Sequence, residues 1–258
     1  MDVEIVGVAM SLSPNALAAT VCKAHKFKRM SEMRKIGLVG GVSWVSTMDY
    51  YKFINEGINE RLGGLNFAEC VIYSLNFGDV QEKSWENSFE LLFDACKSLK
   101  RSGVDAIALC ANTAHLFADQ LQEKIQLPII HIGSETAKVV RKQELTKVGL
   151  LGTKFTMEMD FYGEKLEEYG LEVLIPEKQE TRDYIQFTVK EELGRGLIKE
   201  ETIKNYISIV EDLAARGAEG VILGCTEIPM LISQKNFSMP IFDTTKIHSQ
   251  AIVEYLLS

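Results

Sequence analysis

Lys35–Gly40 reads KIGLVG, and Lys147–Gly152 reads KVGLLG, an offset of 147 − 35 = 112. Each is a short β-branched run that stops in glycine, the pattern of a buried strand running into a turn. The match does not stand alone. Met48-Asp-Tyr-Tyr returns as Met159-Asp-Phe-Tyr, and Gly103-Val-Asp-Ala-Ile-Ala-Leu as Gly217-Ala-Glu-Gly-Val-Ile-Leu. Pro128-Ile-Ile returns as Pro240-Ile-Phe. Collinear matches at a nearly constant offset mark an internal duplication.

Other runs of the same kind are AECVIYSLN, LPIIHI and LEVLIP, separated by amphipathic stretches such as TMDYYKFINEGINERL and ETIKNYISIVEDLAARG. Strands alternating with helices imply right-handed βαβ units around parallel sheets. The predicted fold class is therefore α/β, two similar domains with parallel sheets and an active site in the cleft between them. The boundaries expected are a loosely ordered leader over 1–33, a first half over 34–132 and a second half over 133–244. Function begins at Lys35. The final helix, 245–258, is left over by the repeat and is free to complete either half.

Composition bounds the function. A formal charge of −8 argues against a nucleic-acid surface. No apolar run reaches the roughly 20 residues of a membrane span, and IVGVAM near the start, with acidic flanks, is too short for a secretory signal. Five scattered cysteines without a CxxC pair read as reduced thiols of a cytoplasmic protein. The four histidines have no metal-ligand spacing, so no metal is expected. GLVGG is not the GxGxxG of a dinucleotide loop, and the second strand ends in Asn76 rather than a ribose-binding acid.

Strand ends in parallel sheets gather ligands. The third strand ends in Cys110-Ala111-Asn112-Thr113 and its repeat in Gly224-Cys225-Thr226-Glu227, an offset of 114 that sets Ala111 against Cys225. Because strand side chains alternate in direction, Cys110 faces away from whatever Ala111 and Cys225 face. A thiolate on each side of an amino acid's Cα could take a proton from one face and return one to the other. Here one of the two places is an alanine. Hydrogen-bond donors for the carbanion and carboxylate are expected from Asn112, Thr113 and Thr226, from Gly40 and Gly41, and from Thr153 and Thr156 in the repeat. Cys22, Cys70, Cys96 and Cys110 are read as packed thiols. His115 and His131 are either substrate contacts or, the plainer reading, residues that cap a helix or fill a turn.

The stretches KIGLVGGVSWVSTMDYY, ANTAH, LLGTKFTMEMDFY and GCTEIP resemble the aspartate/glutamate racemase family from about Lys35 to the end. The resemblance implies two α/β domains, cofactor-independent racemisation of an amino acid and, commonly, a homodimer. It makes Cys225 the second-half catalytic cysteine, acting on the L-enantiomer, and makes Asn112, Thr113 and Thr226 holders of the substrate's α-carboxylate. The family's Cys-Asn-Thr-Ala-His is here Ala111-Asn-Thr-Ala-His, so the first base is vacant. Basic contacts for an acidic side chain would fall to Lys83 and Arg195.

Three readings follow. The first is an aspartate/glutamate-type racemase slowed or made one-sided by Ala111. The second is a decarboxylase of a malonate-type acid, in which one thiol suffices; an apolar pocket would favour it and a pair of basic side chains would oppose it. The third is a protein that binds an acidic amino acid without turning it over.

Overall fold

The computed structural model describes residues 33–258, so all but the last residue of the expected leader, Cys22 and His25 among them, lies outside the described residues. The first half runs β1 (Ile36–Gly40), α1 (Trp44–Leu62), β2 (Cys70–Ser74), α2 (Phe77–Lys83), α3 (Phe89–Arg101), β3 (Ala106–Leu109), α4 (Ala118–Ile125), β4 (Ile129–Ile130) and α5 (Ile132–Lys142). The second runs β5 (Lys147–Gly152), α6 (Lys154–Glu158), α7 (Asp160–Glu167), β6 (Glu172–Leu174), α8 (Gln179–Glu191), α9 (Glu200–Ala215), β7 (Gly220–Gly224), β8 (Ile241–Asp243) and α10 (Thr244–Leu256).

The strands form two four-stranded sheets of the same order, β2-β1-β3-β4 and β6-β5-β7-β8, and every pairing is parallel. The duplication is thus a property of the fold. β1 and β7 are buried at every residue, as parallel strands covered on both faces must be. Register makes the repeat quantitative. Val39 pairs with Leu109 on β1 and β3, and Leu151 pairs with Leu223 on β5 and β7. Two residues further along lie Ala111 and Cys225, so the alanine occupies the cysteine's place.

The final helix is not left over. α10 follows β8 as α5 follows β4, and each packs on the opposite half. Ile252, Val253 and Leu256 of α10 join Ile36, Leu38, Tyr50 and Ile58 in the first core. Ile132, Ala137 and Val140 of α5 join Val148, Leu150, Tyr162 and Phe242 in the second. Close approach of α10 to α1 needs Gly57, where an added Cβ would lie 2.8 Å from a Val253 methyl. Exchanged helices of this kind bury apolar surface of both halves at once and so couple their folding.

Two buried imidazoles, His115 and His248, meet the half-buried His131 where the exchanged helices cross. His131 caps α5, its Nδ1 accepting from the N–H of Gly133 and Ser134. His115 Nε2 accepts from the Ile132 N–H, which leaves Nδ1–H to donate to the Ala111 carbonyl. His248 Nε2–H donates to the Ile130 carbonyl, so Nδ1 accepts from the Tyr50 hydroxyl at 2.8 Å. Every one of these bonds uses a neutral ring. Burial pushes all three down to about 3. These histidines hold the framework together, and none of the three lines the cleft at the strand ends.

Candidate active site

The carboxyl ends of β1, β3, β5 and β7 open into one cleft, a cavity of about 770 Å³. Gly41, Ala111, Asn112, Thr113, Thr153, Cys225 and Thr226 all line it, so seven of the eleven expected site residues are brought together, while Gly40, Thr156, Lys83 and Arg195 do not line it.

Cys225 sits on the first residue past β7, 6% exposed. Its thiol donates to the Glu227 carboxylate at 2.9 Å, and the Thr226 hydroxyl donates to the same oxygen at 2.8 Å. Burial pushes the Cys225 thiol well above its usual range, and the neighbouring Glu227 charge pushes it further. The resting state is therefore the protonated thiol with a proton acceptor in contact. Glu227 was flanking context in the sequence. That it touches the thiol two residues away follows from the tight turn after β7, where the Ile228 N–H bonds the Cys225 carbonyl.

On the facing side Ala111 presents only a methyl group. Cys110 borders the cleft too, but it packs with Ile36, Tyr50 and Ile130 in the first core, and burial holds its thiol far above the usual value. It offers no substitute base.

The polar side chains divide into donors at the cleft and ties between the halves. Thr113 and Thr153 hydroxyls lie 3.2 Å apart, and Thr153 lies 3.2 Å from Thr156, giving a hydroxyl chain that crosses from one half to the other. Asn112 donates through Nδ2 to Thr244, whose own proton goes to the Leu223 carbonyl. That leaves Asn112 Oδ1 buried without a partner. Gly41 has φ of 88°, and an added Cβ would fall 2.2 Å from the Leu75 carbonyl oxygen. Only glycine fits there. Its N–H is already bonded to the Thr47 hydroxyl at 2.9 Å, so Gly41 shapes the loop rather than holding an anion.

Lys83 and Arg195 are not brought to the cleft. α2 turns Phe77, Val80, Gln81 and Ser84 inward, the i, i+3, i+4, i+7 face of a helix, and Lys83 falls on the solvent side. Arg195 is two-thirds exposed and bonded to Glu191 at 2.5 Å. The cation that does line the cleft is Lys190, at its rim, 63% exposed and 3.7 Å from Glu191. Among the described residues no group of three or more histidine, cysteine or acidic side chains is placed to hold a metal ion. No helix among them is long and apolar enough to cross a membrane.

Two four-stranded parallel sheets of identical strand order around one shared cleft match the two-domain fold of a solved racemase, the glutamate racemase of Aquifex pyrophilus, at a TM-score of 0.60. Residues 39–252 match the model of the Asp/Glu/hydantoin racemase family, and the chain belongs to that family. It is 24% identical over 233 residues to the broad specificity amino-acid racemase of Bacillus subtilis, covering 86% of this chain and 98% of that one. Among solved structures it is similar to a candidate Asp/Glu racemase from Yersinia pestis, at 40% identity and a TM-score of 0.82, with 88% and 100% of the two chains covered. It is similar also to an aspartate racemase homologue from Pyrococcus horikoshii, at 38% identity and a TM-score of 0.77, with the same shares covered.

Proposed function

We propose that this protein is an amino-acid racemase with a single base, Cys225, working one face of the substrate. The observation that carries the reading is the Cys225–Glu227 contact at 2.9 Å in the cavity that Ala111 also lines. Glu227 accepts the thiol proton when the amino acid enters, and the thiolate then removes the α-proton of the L-enantiomer. The thiol so formed returns a proton to the same face. Inversion requires a proton from water on the Ala111 side, so it is slower than exchange. Hydroxyls of Thr113 and Thr153 supply donors for the α-carboxylate, where charge grows as the carbanion forms. No cofactor is needed for these steps. The test is α-proton exchange in D₂O, followed by NMR. Exchange from an L-amino acid that disappears in Cys225→Ala supports the reading; exchange that persists in that variant refutes it.

Decarboxylation of a malonate-type acid is the second reading, favoured by the apolar walls and by a lining that, among the described residues, holds no pair of basic side chains. Loss of CO₂ would leave the electron pair on Cα, and the protonated thiol would donate to it. Release of CO₂ from phenylmalonate, absent in Cys225→Ala, distinguishes this chemistry from exchange.

A second copy of the chain is the partner this reading carries. Met48 and Tyr51 are exposed apolar neighbours at i, i+3 on α1, with Leu65 and Phe67 exposed in the following loop. Light scattering of Met48→Glu/Tyr51→Glu against the unaltered chain tests it, with a fall to monomer expected. The four described cysteines are all free, in keeping with a reducing, cytoplasmic setting.

A further inference from the structure

Above the Cys225–Ala111 floor the cleft is walled by Val42, Trp44, Phe77, Val80, Trp85 and Phe155. We infer that the cleft is built for a substrate with a large apolar side chain, aromatic above all, and not for the second carboxylate of aspartate or glutamate. The inference rests on the site assignment above and names the substrate class it takes.

Charge is the first ground. A carboxylate taken into an apolar chamber needs a cation or several donors to replace its water. Lys83 and Arg195 point elsewhere; Gln81, Ser84 and Gln186 line the cavity as neutral donors only, and the one lining cation among the described residues, Lys190, is a largely exposed rim residue 3.7 Å from Glu191. The acidic group that does line the cavity, Glu227, would repel a second carboxylate.

Size is the second. A cavity of about 770 Å³ falls within the roughly 300–1,000 Å³ of pockets that enclose drug-sized ligands. Aspartate would leave most of it empty of protein contacts, and an amino acid with a ring would not.

Ring geometry is the third. Phe77 and Trp85 lie with centroids 6.4 Å apart and planes tilted by 48°, an open arrangement into which a third ring can pack edge to face. Trp44, 73% exposed at the mouth, has its indole largely uncovered by the protein itself. A bound aromatic side chain would bury apolar surface on all three.

The chain contains two tryptophans, and both line the cleft. Intrinsic fluorescence therefore reports occupancy of this site without requiring turnover. The full chain would be titrated with L- and D-phenylalanine, L-leucine, L-aspartate and L-glutamate, and the same ligands followed for α-proton exchange in D₂O. Phenylalanine is expected to saturate the signal at a concentration at least tenfold below aspartate. In Gln81→Arg, which places a cation on an exposed, cleft-lining position of α2, the gap should narrow by tenfold or more, with the melting temperature as the control for folding. Equal or tighter binding of aspartate or glutamate overturns the inference, as does no signal from any of the five. Tight phenylalanine binding without exchange upholds the substrate class while the single-base chemistry fails. Exchange confined to aspartate or glutamate does the reverse.

Discussion

At the end of β3 the chain reads Cys110-Ala111-Asn112-Thr113, and at the end of β7 Gly224-Cys225-Thr226-Glu227. Strand order and register make these the same place in two copies of one fold. Asn112, where the other copy has Thr226, ties the halves together through Thr244, whereas Glu227 serves the thiol. On the proposed reading one half supplies the reacting thiol and the other supplies the wall that faces it. A duplicated scaffold does not oblige both halves to be catalytic, since Ala111 packs in its core as Cys225 packs in the other.

Restoring the missing thiol should break the comparison most sharply. Ala111 lines the cavity, so Ala111→Cys has room for its sulfur. A positioned acid or base is worth about 10²–10⁴-fold, and racemisation, measured by chiral chromatography, should rise by that factor in this variant. No rise would mean that the Ala111 side is not a face of the reacting carbon.

The exchanged helices differ in their caps. His131 caps α5, while Asp243 caps α10 by accepting from the Thr245 and Lys246 N–H. The ordinary imidazole value near 6.5 applies to the unfolded chain, and the folded values of His115 and His248 are near 3. The unfolded chain therefore binds more protons between these limits. Stability is full above about pH 6.5 and is lost as pH falls toward 3, by up to about 1.4 kcal/mol per pH unit for each ring. Denaturant melts at pH 7 and pH 5 check the sign; equal stability would show that the cluster is not held neutral.

Gly41 and Thr153 end the two equivalent strand turns, one at φ of 88°, the other at −63°. Gly41→Ala should cost roughly 1–3 kcal/mol of strain, from the left-handed backbone and the Leu75 contact. Thr153→Ala loses a cap bond to the Thr156 N–H and should cost about 1 kcal/mol. Thermal unfolding of both variants measures the difference, and a larger loss at Thr153 would contradict it.

The subtlest probe is the thiol itself. The Glu227 charge raises the Cys225 value, so Glu227→Gln should move the pH profile of Cys225 alkylation to lower pH. An unmoved profile would separate the two groups.

Periodicity and repetition made the parallel halves legible, and the 114-residue offset already set Ala111 against Cys225, because register is written along a strand. Helical phase was not so plain. Charge alone points to Lys83, yet Asn76 caps α2 and starts its turns so that Val80 and Gln81 face inward. The same phase, counted from Asn76, was the available signal for the apolar wall. Arg195 lies in a short irregular segment after α8, where no periodicity fixes direction. The exchange of α5 and α10 was hidden for a different reason: an amphipathic helix shows that it packs, not on which half.

The central claim is that one thiol works one face of the carbon. A single L-amino acid in D₂O should be followed at once for deuterium at Cα and for the D-enantiomer. Deuterium entering with retention, at least 10²-fold faster than the D-enantiomer accumulates, is the predicted result. Exchange and inversion proceeding at equal rates would contradict it, since that requires a second base on the side where Ala111 stands.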